Sequence, residues 1–176
     1  MPPAWPTRRR AAALVGCLAV LVAGSGCTAE PAPTGLPTLG TQAEVCASRV
    51  DAPTAVTVIG RGLAGLRELN TFTPTQRVGQ CALLDAEGGA ALSVQVIHDE
   101  GGKQLEQDLA KLVTEENYAG NEVSAVIGDA RGTTALWAVD ENYYVRVLGL
   151  GGGSQTQREA ALGLAGDVAR RTAAIN

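Results

Sequence analysis

Two apolar runs, Val78 to Leu84 and Ala90 to His98, are joined by Asp85-Ala86-Glu87-Gly88-Gly89. Turn-forming residues between two strand-length runs predict a β-hairpin. Alternation in the second run places Leu92, Val94, Val96 and His98 on one face, with Ser93 and Gln95 on the other. A sheet with an apolar face must be covered, and the chain carries helical patterns downstream that can cover it. Leu105, Leu109, Leu112 and Val113 recur at helical spacing within a helix predicted from Lys103 to Tyr118. Ser154 and Gln157 form a capping box ahead of a last helix that runs to about Ala174, with Leu164, Val168 and Thr172 in one row. Between these helices, Val126-Ile127-Gly128-Asp129-Ala130 reads as a turn, and Thr133 to Val139 and Tyr143 to Leu150 read as strands flanking Asp140-Glu141-Asn142. The order ββαββα predicts an α+β fold in which helices pack on an antiparallel sheet of about four to five strands.

A short helical segment is expected before this unit. Thr41 and Glu44 have capping-box spacing, which predicts a helix carrying Cys46 as far as Val50 and ended by Asp51, Ala52 and Pro53. Ala55 to Ile59 is β-branched and reads as a strand, and Leu63, Leu66 and Leu69 suggest a short helix before Pro74.

The character of the chain changes at Leu21-Val22-Ala23-Gly24-Ser25-Gly26-Cys27. Upstream lie Arg8, Arg9 and Arg10, then an apolar run from Ala11 to Val22, then small residues, which is the pattern of a secretory leader. The run is too short to span a bilayer, which takes about 20 apolar residues. The stretch resembles a bacterial lipoprotein signal, which implies that residues 1–26 are removed and that Cys27 receives a diacylglyceryl group. Gly24 departs from the Leu, Val or Ile usual three places before the cysteine, so cleavage at another position by an ordinary signal peptidase remains an alternative. Cys17 follows the arginines too closely for the apolar region of about 7–15 residues that a signal needs. Sec export is expected ahead of twin-arginine export, because no Phe-Leu follows Arg8-Arg9. Residues 27–40, rich in Pro, Gly, Thr and Ala, read as an extended tether, and residues 41–176 as one domain.

Charge and cysteine usage agree with an exported domain. The chain has 14 basic and 18 acidic side chains, and loss of the three leader arginines leaves 11 against 18, a net charge near −7. No basic patch for nucleic acid is present. Lys103 and Lys111 are the only lysines, and with abundant Ala and Gly this usage suggests a high-GC, actinobacterial source. Cys46 and Cys81 remain after the leader and anchor cysteines are assigned, and in an oxidising compartment they are expected to form a disulfide. Two cysteines are too few for a structural zinc site, so no metal is expected.

The sharpest motif is Gly60-Arg61-Gly62-Leu63-Ala64-Gly65, a literal G-x-G-x-x-G. In a strand–turn–helix context it would bind a dinucleotide. The antiparallel pattern downstream and Pro74 oppose that reading, and no cofactor is expected. Gly149-Leu150-Gly151-Gly152-Gly153-Ser154 reads as a flexible loop leading into a helix cap. His98 has no partner at catalytic spacing, since Ser93 faces the other way, and no catalytic residue is assigned. Asp99-Glu100, Glu115-Glu116 and Asp140-Glu141 read as solvated acidic surface. Trp137, Tyr143 and Tyr144 lie on one predicted hairpin, with Tyr143 and Tyr144 pointing opposite ways. They supply core and rim packing or an aromatic ligand or partner patch.

The cysteine on an early helix, the second opening Cys81-Ala82-Leu83-Leu84, the Val126-Ile127-Gly128-Asp129-Ala130 turn, the close strand pair and the Ala-rich last helix together resemble the actinobacterial secreted lipoproteins of the domain of unknown function 3558 family. The likeness spans most of Cys46 to Ala174, although members often place a Trp where this chain has Ala82 and Leu83. It implies a cell-envelope lipoprotein without an assigned activity and supplies no catalytic residue. The expected function is a lipid-anchored, extracytoplasmic, non-catalytic module that binds a small ligand or an envelope protein and meets the membrane through its anchor. One alternative is an accessory or sensor lipoprotein that regulates an envelope partner. Another is a dinucleotide-binding enzyme using the Gly60 to Gly65 turn.

Overall fold

The computed structural model describes residues 39, 42–113, 119–121 and 123–175. The leader, Cys27 and all of the tether except Leu39 lie outside the described residues, as do Glu115-Glu116 and the end of the helix expected to reach Tyr118.

The amino-terminal segment is a β-ribbon where a helix was expected. Strand β1 (Glu44–Val45) pairs antiparallel with β2 (Val50–Asp51). The turn between them holds Cys46, Ala47 and Ser48 at φ of 60°, 52° and 61°. A left-handed non-glycine residue costs about 1–2 kcal/mol, so such a turn survives only where its surroundings over-determine it. They do so here. The sulfurs of Cys46 and Cys81 lie 2.14 Å apart with Cα atoms at 5.5 Å, and the Cys46 N–H donates to the Glu68 carboxylate at 3.0 Å. The Arg171 guanidinium bonds both Glu44 and the Ser48 carbonyl. The Glu44 side chain is thus used by Arg171, and these long-range contacts override the local capping pattern.

Asp51, Ala52 and Pro53 begin a helix where they were expected to end one. The Asp51 carboxylate accepts the Thr54 N–H at 3.0 Å, and Pro53 sits in the first turn of α1 (Ala52–Ile59), where a missing N–H costs nothing. The run expected as a strand, Ala55 to Ile59, is therefore helical, with Ala55, Val58 and Ile59 buried. Gly60 ends the helix at φ 75°, its N–H returning to the Val56 carbonyl at 2.9 Å. Leu63 and Leu66 are buried in the following loop, and Leu69 lies exposed in a strand, β3 (Arg67–Asn70).

From there the predicted hairpins are present. Strands β4 (Gly79–Leu84) and β5 (Ala90–His98) pair as expected. After one 3-10 turn come α2 (Lys103–Leu112), β6 (Ala119–Gly120), β7 (Ser124–Asp129), β8 (Gly132–Asp140), β9 (Tyr143–Leu150) and α3 (Gln155–Ala173). The fold is α+β, but its main sheet has seven strands in the order β3-β4-β5-β9-β8-β7-β6 where four to five were expected. The Val126 to Ala130 segment is largely strand β7. Only its end turns, where the Asp129 carboxylate accepts the N–H groups of Arg131 and Gly132 and closes the β7–β8 hairpin.

The two faces of this sheet are treated differently. One carries Leu83, Leu92, Val94, Val145 and Val147, each at most 1% exposed, beneath α1 and α3. Burying side chains of this kind contributes about 1.5–3 kcal/mol each. Helix α3 begins at the predicted capping box of Ser154 and Gln157 and lies close to the sheet because its inner row is small: Ala161, Ala165 and Ala169. At Gly166 a Cβ would stand 3.2 Å from the Trp137 ring, so that glycine sets the approach. Among the described residues the opposite face is covered only at one end, where Leu105, Leu109 and Leu112 of α2 pack on Leu136 and Tyr144. Among the described residues no helix is long and apolar enough to cross a membrane.

Candidate functional site

The part of the second face that α2 leaves open is crossed by one row of neighbouring residues. Strand register pairs Leu69 with Ala82, Ala82 with Ser93, Ser93 with Leu148, Leu148 with Thr134, and Thr134 with Ile127. Side chains alternate across a strand, so this row stands on a single face. Ala82, Ser93 and Thr134 are short, and they lower the floor between taller neighbours. Two cavities lie along the row, one of about 320 Å³ that includes Ser93, Ile127, Thr134, Leu148 and Leu150, the other of about 170 Å³ that includes Asp108, Leu112, Thr134, Arg146 and Leu148. They share Thr134 and Leu148, and so form one trough that runs from the β7–β8 hairpin to α2. A third recess, bounded by Gln80, Gln95, Ile97 and Arg146, continues over the same face.

Polar chemistry is concentrated at the α2 end of the trough. Gln95 and Arg146 are cross-strand partners. The Arg146 Nε and Nη2 both donate to the Gln95 Oε1, at 3.1 and 2.6 Å, which fixes the guanidinium plane. The Asp108 carboxylate stands 3.7 Å from Arg146 Nη1, an ion pair longer than a hydrogen bond. Asp108 is itself committed: it accepts from the Tyr144 hydroxyl at 2.9 Å, from Gln104 at 3.1 Å and from Lys111 at 3.1 Å. Burial alone would raise the Asp108 carboxyl, but the hydrogen bonds from Lys111, Tyr144 and Gln104 hold it below its ordinary value. The Tyr144 phenol is pushed up, by burial first and then by its bond to Asp108. At the far end Asp129 and Arg131 pair with each other at 3.1 Å on the exposed rim.

These shifts predict how the α2 end responds to pH. Asp108 is more acidic when folded, so its contribution is complete above its ordinary value of 3.8 and is lost as pH falls toward the folded value. Tyr144 is less acidic when folded, so its contribution is complete below its ordinary value of 10.0 and is lost as pH rises from there. The Tyr144→Phe variant should be less stable by about 1.5–3 kcal/mol at neutral pH, the scale of a hydrogen bond to a charged group. It should also lack the steeper alkaline loss of the parent. Urea titrations at neutral and alkaline pH measure both, and parallel pH profiles for the two proteins would contradict the assignment.

Most residues singled out in the sequence lie elsewhere. Trp137 and Tyr143 stand on the helix-covered face, whereas Tyr144 stands on the opposite face and is 1% exposed. The structure therefore does not join the three into one patch: Trp137 packs on Gly166, Tyr143 touches His98 with ring centroids 4.9 Å apart, and Tyr144 serves Asp108. His98 and Ser93 face opposite ways, as expected. Asp99 is not solvated surface; it is buried, and its carboxylate accepts the N–H groups of Gln104 and Leu105 at the start of α2. Asp140 pairs with Arg77 at 2.9 Å. Cys46, Cys81 and Glu68 converge within 4.8 Å, but the two sulfurs are spent on each other.

The Gly60 to Gly65 turn follows a helix C-terminus and leads into a loop and then β3. That is the reverse of the strand–turn–helix unit a pyrophosphate needs, and a helix C-terminus presents carbonyls where the fingerprint uses N–H groups.

Arg146, Gln95 and Asp108 were not picked out from the sequence. The available signal was a single arginine inside the apolar run Tyr143 to Leu150, and a glutamine and serine on the non-core face of a central strand. The molecule is thus an α+β domain whose seven-stranded sheet has one face closed by helices and, among the described residues, the other left partly open over an apolar trough with one fixed guanidinium. Comparison with protein-family models, curated proteins and solved structures finds no significant match for this chain.

Proposed function

We propose that this protein is a lipid-anchored, extracytoplasmic binding module of the bacterial cell envelope, akin to the domain of unknown function 3558 lipoproteins that its sequence resembles, and that the open sheet face is its binding surface. The observation that carries the binding reading is the trough itself. Among the described residues, strands with short side chains at Ala82, Ser93 and Thr134 leave an uncovered, mainly apolar depression, and a few placed polar groups stand at one end, which is the usual make-up of a ligand site. The anchoring reading rests on the leader and on the small residues before Cys27, with the bonded Cys46–Cys81 pair in keeping with an oxidising compartment.

Two measurements test these parts separately. Growth with a labelled fatty acid should label the parent chain and leave Cys27→Ser unlabelled; equal labelling would end the anchoring reading. A set of small organic fragments titrated against the isotope-labelled chain should shift the amide signals of Ser93, Gln95, Thr134, Arg146 and Leu148. Shifts that gather instead on Gly60 to Gly65 would favour the dinucleotide reading.

A further inference from the structure

We propose that the trough takes an uncharged amphiphile, a single apolar chain ending in a neutral hydrogen-bonding group, with that group on the Ser93 hydroxyl and the chain over Leu148, Thr134 and Ile127. This rests on the open face being the binding surface and adds the chemical class of the ligand. Charge balance carries it. Every charged side chain that borders the two cavities along the row already has a partner of opposite sign. Arg131 pairs with Asp129 at 3.1 Å. Arg146 stands 3.7 Å from Asp108 and is held by Gln95 as well, and Lys111 pairs with Asp108 at 3.1 Å. An ionised head group would therefore leave water with no opposite charge free to receive it, and it would have to compete with pairs already formed.

What the floor offers in place of charge is a neutral group. The Ser93 hydroxyl makes no hydrogen bond among the described residues, and it borders the larger cavity beside Leu148, its cross-strand neighbour. A hydroxyl both donates and accepts, so it can pair with an alcohol or with an ester carbonyl. From Ser93 the row continues through Leu148 and Thr134 to Ile127, a distance of about 14 Å at the ordinary spacing of strands. That length suits an extended alkyl chain, and Leu150 stands at its far end with half of its surface exposed. A ligand that is apolar throughout would leave the Ser93 hydroxyl covered and without a partner.

Calorimetric titration of the full-length chain carrying Cys27→Ser tests this at neutral pH, with decanol, decanoate and decyltrimethylammonium each kept below the concentration at which it aggregates. Decanol should bind saturably, and both ions at least about fivefold more weakly, the smallest cost of leaving a charged group unpaired. Ser93→Ala should weaken decanol by about two- to tenfold, the range of one neutral hydrogen bond. Thr57→Val, which removes a hydroxyl from the exposed side of α1, should bind as the parent does. Asp108→Asn removes the charge that balances Arg146 and should narrow the gap between decanoate and decanol. If Asp108→Asn does not fold, Arg146→Gln takes its place and should narrow the gap for decyltrimethylammonium. The leader is common to all variants, so the differences report the trough. No decanol binding, an ion bound as tightly as decanol, indifference to Ser93→Ala, or a gap unmoved by the charge variant would each overturn the proposal. Fragment shifts on the trough without a preference for neutral ligands would retain the binding face and reject only this ligand class.

Discussion

Replacing Cys46 and Cys81 together by alanine is expected to lower the free energy of unfolding by about 3–4 kcal/mol, the chain-entropy value for a bridge between residues 35 apart. The bridge ties the ribbon of β1 and β2 to the central part of the sheet through β4, and it is one of the contacts that hold Cys46, Ala47 and Ser48 in left-handed backbone. Without it the turn can relax toward ordinary φ values, and the ribbon loses its register. Urea titration should show the lower midpoint, and hydrogen exchange should show that the Val45 and Val50 amides lose protection before those of β5 and β9. An unchanged midpoint would mean that the remaining contacts fix the ribbon by themselves.

A loss of similar size, about 3–5 kcal/mol, is expected for Arg49→Met. Arg49 is 5% exposed and has no carboxylate within ion-pairing distance among the described residues. Its charge is carried by neutral acceptors: the Thr172 hydroxyl at 3.0 Å and the carbonyls of Thr73 at 3.2 Å and Gln76 at 3.0 Å, with the guanidinium 5.3 Å from the centre of the Phe72 ring. Burial, with Arg171 nearby, lowers its pKa, but these bonds join the ribbon, the loop before β4 and the end of α3 at one point. Methionine fills similar space and strands three acceptors, each costing about 1–3 kcal/mol if left unpaired in the interior. Thermal and urea unfolding measure the loss, and Arg49→Lys should recover only part of it, since a lysine cannot span the same three acceptors. Full stability of Arg49→Met would mean that water or a local shift satisfies those groups.

The legible parts of the chain are those whose signals are local. The β4–β5 hairpin follows from a glycine-rich turn between alternating runs, and α3 from a capping box whose two reciprocal bonds are both made. The region from Thr41 to Leu69 is not legible in the same way, because its local signals conflict with its long-range contacts. Glu44 has capping-box spacing but its carboxylate is held by Arg171, far along the chain. Asp51-Ala52-Pro53 carries a true helix start, a capping aspartate with a proline in the first turn, which the β-branched run after it obscured. Gly128-Asp129 suggested a turn throughout, whereas only the Asp129 carboxylate turns the chain. The trough was not legible for a different reason. It is made by residues from five strands whose neighbours are set by the order β4-β5-β9-β8-β7, and nothing in the sequence states that β5 lies beside β9. Ser93 and Gln95 could be placed on the non-core face by alternation alone, but that this face is left open depends on where α2 comes to rest.

The claim that the trough is the binding surface is tested most directly by filling it. Ser93 lies on the floor between Ala82 and Leu148, and its side chain faces away from the helix-covered core. Ser93→Leu should therefore leave the unfolding midpoint near that of the parent while occupying the space a ligand would use. Fragments that shift the parent's trough amides are titrated into the variant under the same conditions. The account predicts that those shifts are lost in the folded variant; the same shifts, at the same concentrations, would contradict it.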